Sequence, residues 1–579
     1  MKANRLRLLA FLLIVSIIVV AAGCPGIIAR RAGLPPGEYG TQAVRSVMVT
    51  MRDGTRLATD IYLPKADGPF PVIIERTPYG KGGGNALIAQ LFAGHGFAFV
   101  LQDVRGRYGS DGDWYPFRNE GDDGEDTFNW ITKQSWCNGK IGLWGVSYFG
   151  YTEWQTANHA GGELKAFSPI FTASRIYEAA WRNGVFNNLT ASQWGFENRG
   201  HDARAGIQYR PGRSFTAPLI AQDSHAGAEV GFYRDWVRHP RFDSYWRRQS
   251  SDDYWRKIDA PALMVGGWYD LFLGSTLGDW EKITTEAGPR AREGSRLFIG
   301  PWAHGGAHRL GGVDFGMSAD FLHFSKIFFT WFDYYLRGQS VAMPARVNLF
   351  TTGIDQWRTY NEWPPADARR HPLFLHSGGH ANGEGDGALN RQNPTSEQED
   401  RFTHDPKNLV PTIGGPLLLP SISGPFDASA NGRRNDVLVY TSDVFGADLE
   451  FTGPVEAYIW LATDTPDVDL SVTLLDVDPS GVARGLTDGV TRARYRNGDT
   501  PEWLPANRPV EIKVDLWALS HVFRRGHRLQ IYLAASNYPR YAPNPCTRAD
   551  PGTTTTFVKS HIQVLHDAEH PSRVMLFTR

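Results

Sequence analysis

Cysteine is scarce in this chain of 579 residues: Cys24, Cys137 and Cys546 are the full set. No CxxC pair and no cysteine–histidine cluster occurs, so no metal-ligand spacing stands out, and neither a metal nor another cofactor is expected. An excess of charge of one sign is also missing. The 60 Lys and Arg against 61 Asp and Glu leave a net charge of −1, and nothing suggests the clustered basic face that nucleic-acid binding requires. The apolar run from Leu8 to Ala22 falls short of the roughly 20 residues that a spanning helix needs. No internal repeat is present. Cys137 and Cys546 lie far apart, and two free, buried thiols are a plainer reading than a disulfide between domains.

Aromatic residues, by contrast, are plentiful at 13%, with 19 Trp. Aromatics in such number fill cores, and some line ligand pockets. At the N-terminus, Lys2, Arg5 and Arg7 precede the apolar run, and Ala21-Ala22-Gly23-Cys24 follows it. This is the layout of a secretory signal peptide over residues 1–23. The last four residues resemble a bacterial lipobox, with Ala21 where leucine is usual. Lipidation of Cys24 and membrane attachment through that anchor are therefore expected, with ordinary secretion as the alternative. Either way the body of the protein lies outside the cytoplasm.

The chain is too long for one core. Residues 24–40 read as a tether without periodicity. From 41 to 169 and again from 256 to 340, buried strands alternate with helices, which predicts a mostly parallel sheet covered on both faces. The helices expected include Asp122 to Gln134 and one long aromatic helix from Phe321 to Leu336, stopped by Arg337-Gly338. Residues 170–255 break the rhythm with short stretches rich in Trp, Arg and Phe, and read as a helical cap. From 345 to 579 short alternating segments, beginning with Arg346–Phe350, predict an all-β sandwich or jelly roll, with a surface loop over 377–393.

One segment concentrates chemistry: Gly145-Val146-Ser147-Tyr148-Phe149-Gly150, entered from the strand Ile141–Val146 and followed by a helix. An α/β-hydrolase uses the related G-x-S-x-G pattern to hold a serine on a strained strand-to-helix turn. Here the second glycine comes one residue later. A serine hydroxyl needs a base, and the base an orienting acid. In this fold they follow in the order Ser, Asp, His on loops after sheet strands. Asp270 follows the strand Ala262–Gly267, and His304 follows Arg296–Gly300. Asp259 precedes its strand and would lie at the wrong end of the sheet; His308, four residues on, is the local competitor of His304. The oxyanion needs donors. The backbone N–H of Tyr148 is one. Tyr79, in the glycine-rich loop Arg76–Gly84, offers a phenolic hydroxyl or is simply a packed tyrosine.

Taken together, Arg76-Thr77-Pro78-Tyr79, Asp103-Val104-Arg105-Gly106-Arg107-Tyr108, Trp136–Gly142, Gly145–Gly150, Gly267-Trp268-Tyr269-Asp270 and Gly300–His304 resemble the cocaine esterase-like (CocE/NonD) hydrolases, relatives of the X-prolyl dipeptidyl peptidases. Leu486–Gly489 and Ala535–Arg540 carry the likeness into the β region. It runs from about residue 41 to the end. The resemblance implies an α/β-hydrolase with helical cap and C-terminal jelly roll, and gives Tyr79 the role of side-chain oxyanion donor. It also matches Phe272 to an aromatic acyl-pocket position, with Trp181 and Trp194 of the cap as pocket or packing residues. Asp103, Arg105 and Arg107 are expected to form a structural ion-pair network.

Within that family the α-amino-acid ester hydrolases place acidic residues directly after the catalytic acid, whereas Asp270 is followed here by Leu271-Phe272-Leu273. No acceptor for a free amino terminus, as an X-prolyl peptidase requires, is evident in the cap, although Glu178, Glu197 and Asp202 lie there. The expected partner is thus a small ester or amide with an apolar or aromatic acyl group. Self-association is left open, and a binding lipoprotein with an inactive hydrolase core is the alternative of a different class.

Overall fold

The computed structural model describes residues 25–209, 211–212, 214–383 and 385–579. Cys24 and the expected signal peptide lie outside them. Of the expected tether, Pro25–Arg31 is a helix, with Ala29 and Ala32 buried. The helix closes at Gly33 in the left-handed region, with Leu34 N–H bonded to Ala29 C=O. The tether is therefore shorter than expected, because Ala29 buries in a core of the first domain, with Leu34 packed against it.

Ten strands form the first sheet. In spatial order they begin β1 (Thr41–Thr50), β2 (Arg56–Pro64), β4 (Ala98–Asp103), β3 (Phe70–Thr77), β5 (Cys137–Val146) and β6 (Leu164–Ile170). Leu263–Gly267, Arg296–Gly300, Val347–Thr351 and Gln356–Tyr360 complete it. Pairing is antiparallel at the two edges and parallel from β4 to Val347–Thr351. The strands read as continuous apolar runs because both faces are buried. Val72 and Ile74 pack into one core with Phe128 and Trp154, whereas Ile73 between them packs into another with Phe92 and Phe329. In parallel register Thr77 pairs with Asp103, Val146 with Ile170 and Gly267 with Gly300. The segments leaving β3, β5, Leu263–Gly267 and Arg296–Gly300 thus emerge at one edge of the sheet.

Three expectations need correction. The change of pattern at residue 345 precedes the change of sheet: Val347–Thr351 pairs parallel with Arg296–Gly300, and Gln356–Tyr360 folds back on it. A short alternating strand looks the same in either neighbourhood, so its pattern could not assign it. The aromatic helix is interrupted, as Phe321–Phe324, Lys326–Phe332 and a wide turn Asp333–Arg337. Ser325 sits at the break with its hydroxyl on the Leu322 carbonyl, and Gly338 ends the unit at φ 70°. Within the expected loop 377–393, Ala388–Asn390 is a short strand.

The cap between β6 and Leu263 holds short helices, including Asn188–Glu197 and Gly231–Arg238, and a small hairpin, Trp181–Arg182 with Val185–Phe186. Among the described residues, Arg309–Leu310 and Val313–Asp314 form a second small hairpin, and the other eleven strands form one hydrogen-bonded β network around an aliphatic core that includes Ile459, Val472, Val514 and Ile531. Cap and β domain are tied by buried charge: Arg182 of the cap donates to the carbonyls of Asp488 and Asp515 and pairs with the Asp488 carboxylate, which Arg540 of the β domain also holds. Cys137 and Cys546 are both free thiols.

Candidate active site

Ser147 stands between β5 and the helix Tyr148–Ala157 at φ 60°, ψ −122°. Such a left-handed backbone is strained for a non-glycine residue. Its N–H bonds Ile170 C=O at 2.8 Å, and its C=O accepts from the Thr172 hydroxyl at 2.7 Å. The spacing of the glycines has a steric cause. A Cβ on Gly145 would lie 2.5 Å from the Cβ of Phe149, and one on Gly150 would lie 2.7 Å from Thr172 Cγ2. Phe149 itself is only half-buried and rests on Tyr79, with ring centroids 5.5 Å apart. The residue after Tyr148 can therefore be large, while the one after that cannot.

Asp270 and His304 arrive from their two loops. His304 Nε2 lies 2.9 Å from Ser147 Oγ, and His304 Nδ1 lies 2.7 Å from Asp270 Oδ2. The other carboxylate oxygen accepts the Phe272 N–H at 2.7 Å. A carboxylate only accepts, so Nδ1 carries the ring hydrogen and Nε2 is left to accept from the serine hydroxyl. Both side chains are buried, Asp270 completely. The competitors stand elsewhere: His308 pairs with Asp320, and exposed Asp259 pairs with Arg290.

Tyr148 opens its helix, where the first backbone N–H groups lack intrahelical partners. Its side chain is clamped from below: the hydroxyl donates to Glu120 Oε1 at 2.7 Å and accepts from the Phe117 N–H at 2.8 Å. Arg76 pairs with Glu120 at 3.1 Å. Burial holds the Glu120 carboxyl above its ordinary range despite that guanidinium. Nothing local in the sequence marks Glu120, which lies 28 residues from Tyr148. Tyr79 lines the same cavities as Ser147, and its oxygen accepts the indole N–H of Trp194 at 2.9 Å. Burial pushes its hydroxyl up to about 12, so the phenol keeps its proton at any ordinary pH. Arg105 bonds Asp53 and Asp123, and Asp103 bonds Lys81 at 3.0 Å. Arg107 is buried and bonds backbone carbonyls. Asp103 and Arg105 thus sit in ion pairs, whereas Arg107, expected in the same network, is held by the carbonyls of Pro78, Asn198 and Gly200 instead.

Two cavities meet at Ser147. The first, of about 50 Å³, is lined by Tyr148, Tyr151, Phe117, Trp194, Trp236, Trp246 and Phe272, with Ile176 and Ala180 of the cap and Leu418 of the β domain. Among the described residues, no Asp, Glu, Lys, Arg or His contributes to this wall. The second, of about 320 Å³, is lined by the glycine-rich loop 80–84, Phe149, His304, Ile207, Glu197 and Leu419. Phe272 and Trp194 border the first cavity. Trp181 does not. It is a buried residue of the cap core, packed on Phe186 and donating to Trp236 C=O at 2.8 Å. Glu178 accepts from Ser275 and lines the groove between cap and β domain, and Asp202 pairs with Arg204, so neither reaches the first cavity. Phe117, Tyr151, Trp236, Trp246 and Leu418 were not foreseen. Phe117 had a usable signal, since it lies on the segment leaving β4 at the reactive edge, but Leu418 had none.

Residues 53–306 match the sequence profile of the X-Pro dipeptidyl-peptidase (S15) family, and residues 340–575 match that of the X-Pro dipeptidyl-peptidase C-terminal non-catalytic domain. Over 93% of its length the chain is 34% identical to a cocaine esterase of Rhodococcus sp. strain MB1 Bresler, covering 99% of that protein. Among solved structures, an α-amino acid ester hydrolase superposes with a TM-score of 0.79 at 24% identity, covering 94% of this chain and 98% of that one. An aminopeptidase from a marine sediment Thaumarchaeota archaeon gives 0.78 at 24% identity, covering 93% and 97%.

Proposed function

The chain belongs to the cocaine esterase-like (CocE/NonD) family of serine hydrolases, and from that premise we propose that it cleaves carboxylic esters with a small, neutral, apolar acyl group. Ser147 Oγ attacks the acyl carbonyl while His304 Nε2 takes its proton, and Asp270 holds the imidazole and balances its charge. The oxyanion is met by the Tyr148 N–H and the Tyr79 hydroxyl. The alcohol leaves with the proton from His304, and water repeats the sequence on the acyl-enzyme.

The two halves of the substrate are assigned by His304, which lines the second cavity and not the first. The leaving oxygen must face the group that protonates it, so the alcohol occupies the second cavity and the acyl group the first. The observation that carries the reading is that, among the described residues, no Asp, Glu, Lys, Arg or His lines that first wall. A substrate ammonium buried there would lack a counter-ion, at a cost of several kcal/mol. Size adds a limit: an enclosed apolar cavity that admits benzene measures about 150 Å³, against about 50 Å³ here. Short acyl chains fit directly, and an aryl group needs the aromatic walls to move. Kinetics on a matched set of nitrophenyl esters, α-amino esters and aminoacyl-prolyl amides tests this. The highest kcat/KM is expected for short neutral acyl esters. A preference for free-amino substrates would overturn the reading and favour the peptidase or amino-ester branch.

The same proposal includes export and a lipid on Cys24, supported by the lipobox-like Ala21–Cys24. Palmitate labelling that disappears in Cys24→Ala is expected. A mature N-terminus at any residue other than 24 would refute it.

A further inference from the structure

The indole N–H of Trp194 donates to the phenolic oxygen of Tyr79 at 2.9 Å. A phenolic O–H has one hydrogen to give and holds it in the ring plane, on one side of the oxygen or the other. With the indole donating from one side, the hydrogen is left to the other. Accepting a hydrogen bond also polarises the O–H that remains, strengthening it by something like 10–30%. We propose that Trp194 is a positioning residue of the oxyanion site, and that through it the cap aims the Tyr79 hydroxyl at the developing charge. This rests on the reading of Tyr79 as an oxyanion donor.

The surroundings of the pair support more than a packing role. Trp194 is held in plane between other rings, stacked on Phe117 at 5.4 Å, Trp236 at 6.0 Å and Tyr148 at 6.1 Å. Its helix, Asn188–Glu197, is pinned at both ends. At the start, Leu189 N–H bonds Arg540 C=O at 3.1 Å and the Asn188 amide bonds Pro539 C=O at 3.2 Å, so the β domain holds it. Just past its end, the Asn198 carbonyl accepts from the Trp114 indole at 2.8 Å and from Arg107 at 3.3 Å. The same guanidinium donates through Nε to Pro78 C=O at 2.7 Å. One buried arginine thus bridges the residue before Tyr79 and the end of the helix that carries Trp194. The distance between phenol and indole is set by backbone hydrogen bonds from three parts of the molecule.

A double-mutant cycle tests this with a short-chain nitrophenyl ester. Tyr79→Phe removes the hydroxyl and should lower kcat about 10²–10³-fold. Trp194→Phe keeps an aromatic face without the N–H and should lower kcat about threefold to tenfold, the worth of one neutral hydrogen bond, with KM changed less than about twofold. In the Tyr79→Phe background the same substitution should change kcat by less than about twofold, because the group it acts through is gone. Arg107→Lys, outside both cavities, should repeat that non-additivity and serves if Trp194→Phe does not fold. An equal loss in both backgrounds, or a change in KM alone, would overturn the proposal and leave Trp194 as wall. An unchanged kcat in Tyr79→Phe would instead refute the oxyanion reading of Tyr79.

Discussion

The two cavities at Ser147 are built from different material. The first is closed by the cap, by Leu418 of the β domain and by the rings around Tyr148, and among the described residues no charged side chain stands on its wall. The second is several times larger, runs along the glycine-rich loop 80–84, and includes His304 and Glu197. Chemistry requires this asymmetry. A proton must be delivered on the alcohol side, so a titratable group has to stand there. On the proposed acyl side, a largely apolar wall without charged side chains would strengthen the electrostatic contacts to the oxyanion, since low dielectric magnifies them. On the proposed reading the first cavity selects by shape and charge, and the second tolerates variety.

The comparison can be tested from its hinge outward. Ser147→Ala acts where both cavities meet. It should lower kcat by about 10⁶ for every ester alike and abolish fluorophosphonate labelling; label retained on another serine would show that the cavities are assigned to the wrong centre. Asp270→Asn should cost about 10⁴ in kcat with the fold intact, since the imidazole loses its tautomer control. A loss within about tenfold would mean that another acid orients His304.

Next come substitutions on one wall only. Ala180→Asp places a carboxylate on the first wall and should lower kcat/KM for a neutral acyl ester by about 10²-fold, and less for an α-amino ester. Ile207→Asp on the second wall should change the same ratio by less than about fivefold, because water and polar groups reach it. Equal effects would erase the distinction between the cavities. Melting curves on both variants separate a loss of specificity from a loss of fold.

The smallest effect concerns the root of the cap beside the acyl cavity. Asp279 accepts from the backbone and hydroxyl of Ser174, and burial raises its carboxyl from 3.8 to about 7. The folded state thus holds a proton that the unfolded chain releases. Stability from this group is complete below the unfolded value and is lost as pH rises through about 7. The slope is up to about 1.4 kcal/mol per pH unit within that window. Asp279→Asn should flatten the stability profile between pH 4 and 7, read from denaturant melts; an unaltered slope would rule out this group as its source.

Much of the site was legible in the residues. Strand, glycine spacing and helix pointed to Ser147, and the loops after two buried strands pointed to Asp270 and His304. Each of these signals is local: a turn that excludes Cβ atoms, or a side chain just past a strand whose direction the parallel sheet dictates. The cap was less legible. Trp181 and Trp194 are the same residue type only 13 positions apart, yet one fills the cap core and the other meets Tyr79. Their roles depend on which way a short hairpin and a short helix face after docking.

What the sequence alone determined is the order of elements, the reactive edge of the sheet and the residue types on its loops, because periodicity and turn sterics act over a few residues. Only the tertiary structure decided what stands around them. Val347–Tyr360 joined the first sheet through pairing with Arg296–Gly300. Glu120 came under Tyr148, and the β domain delivered Leu418 to the wall and Arg540 to the helix of Trp194. Contacts of that kind join segments tens to hundreds of residues apart, and their partners are chosen by the packing of whole layers, which no local pattern encodes.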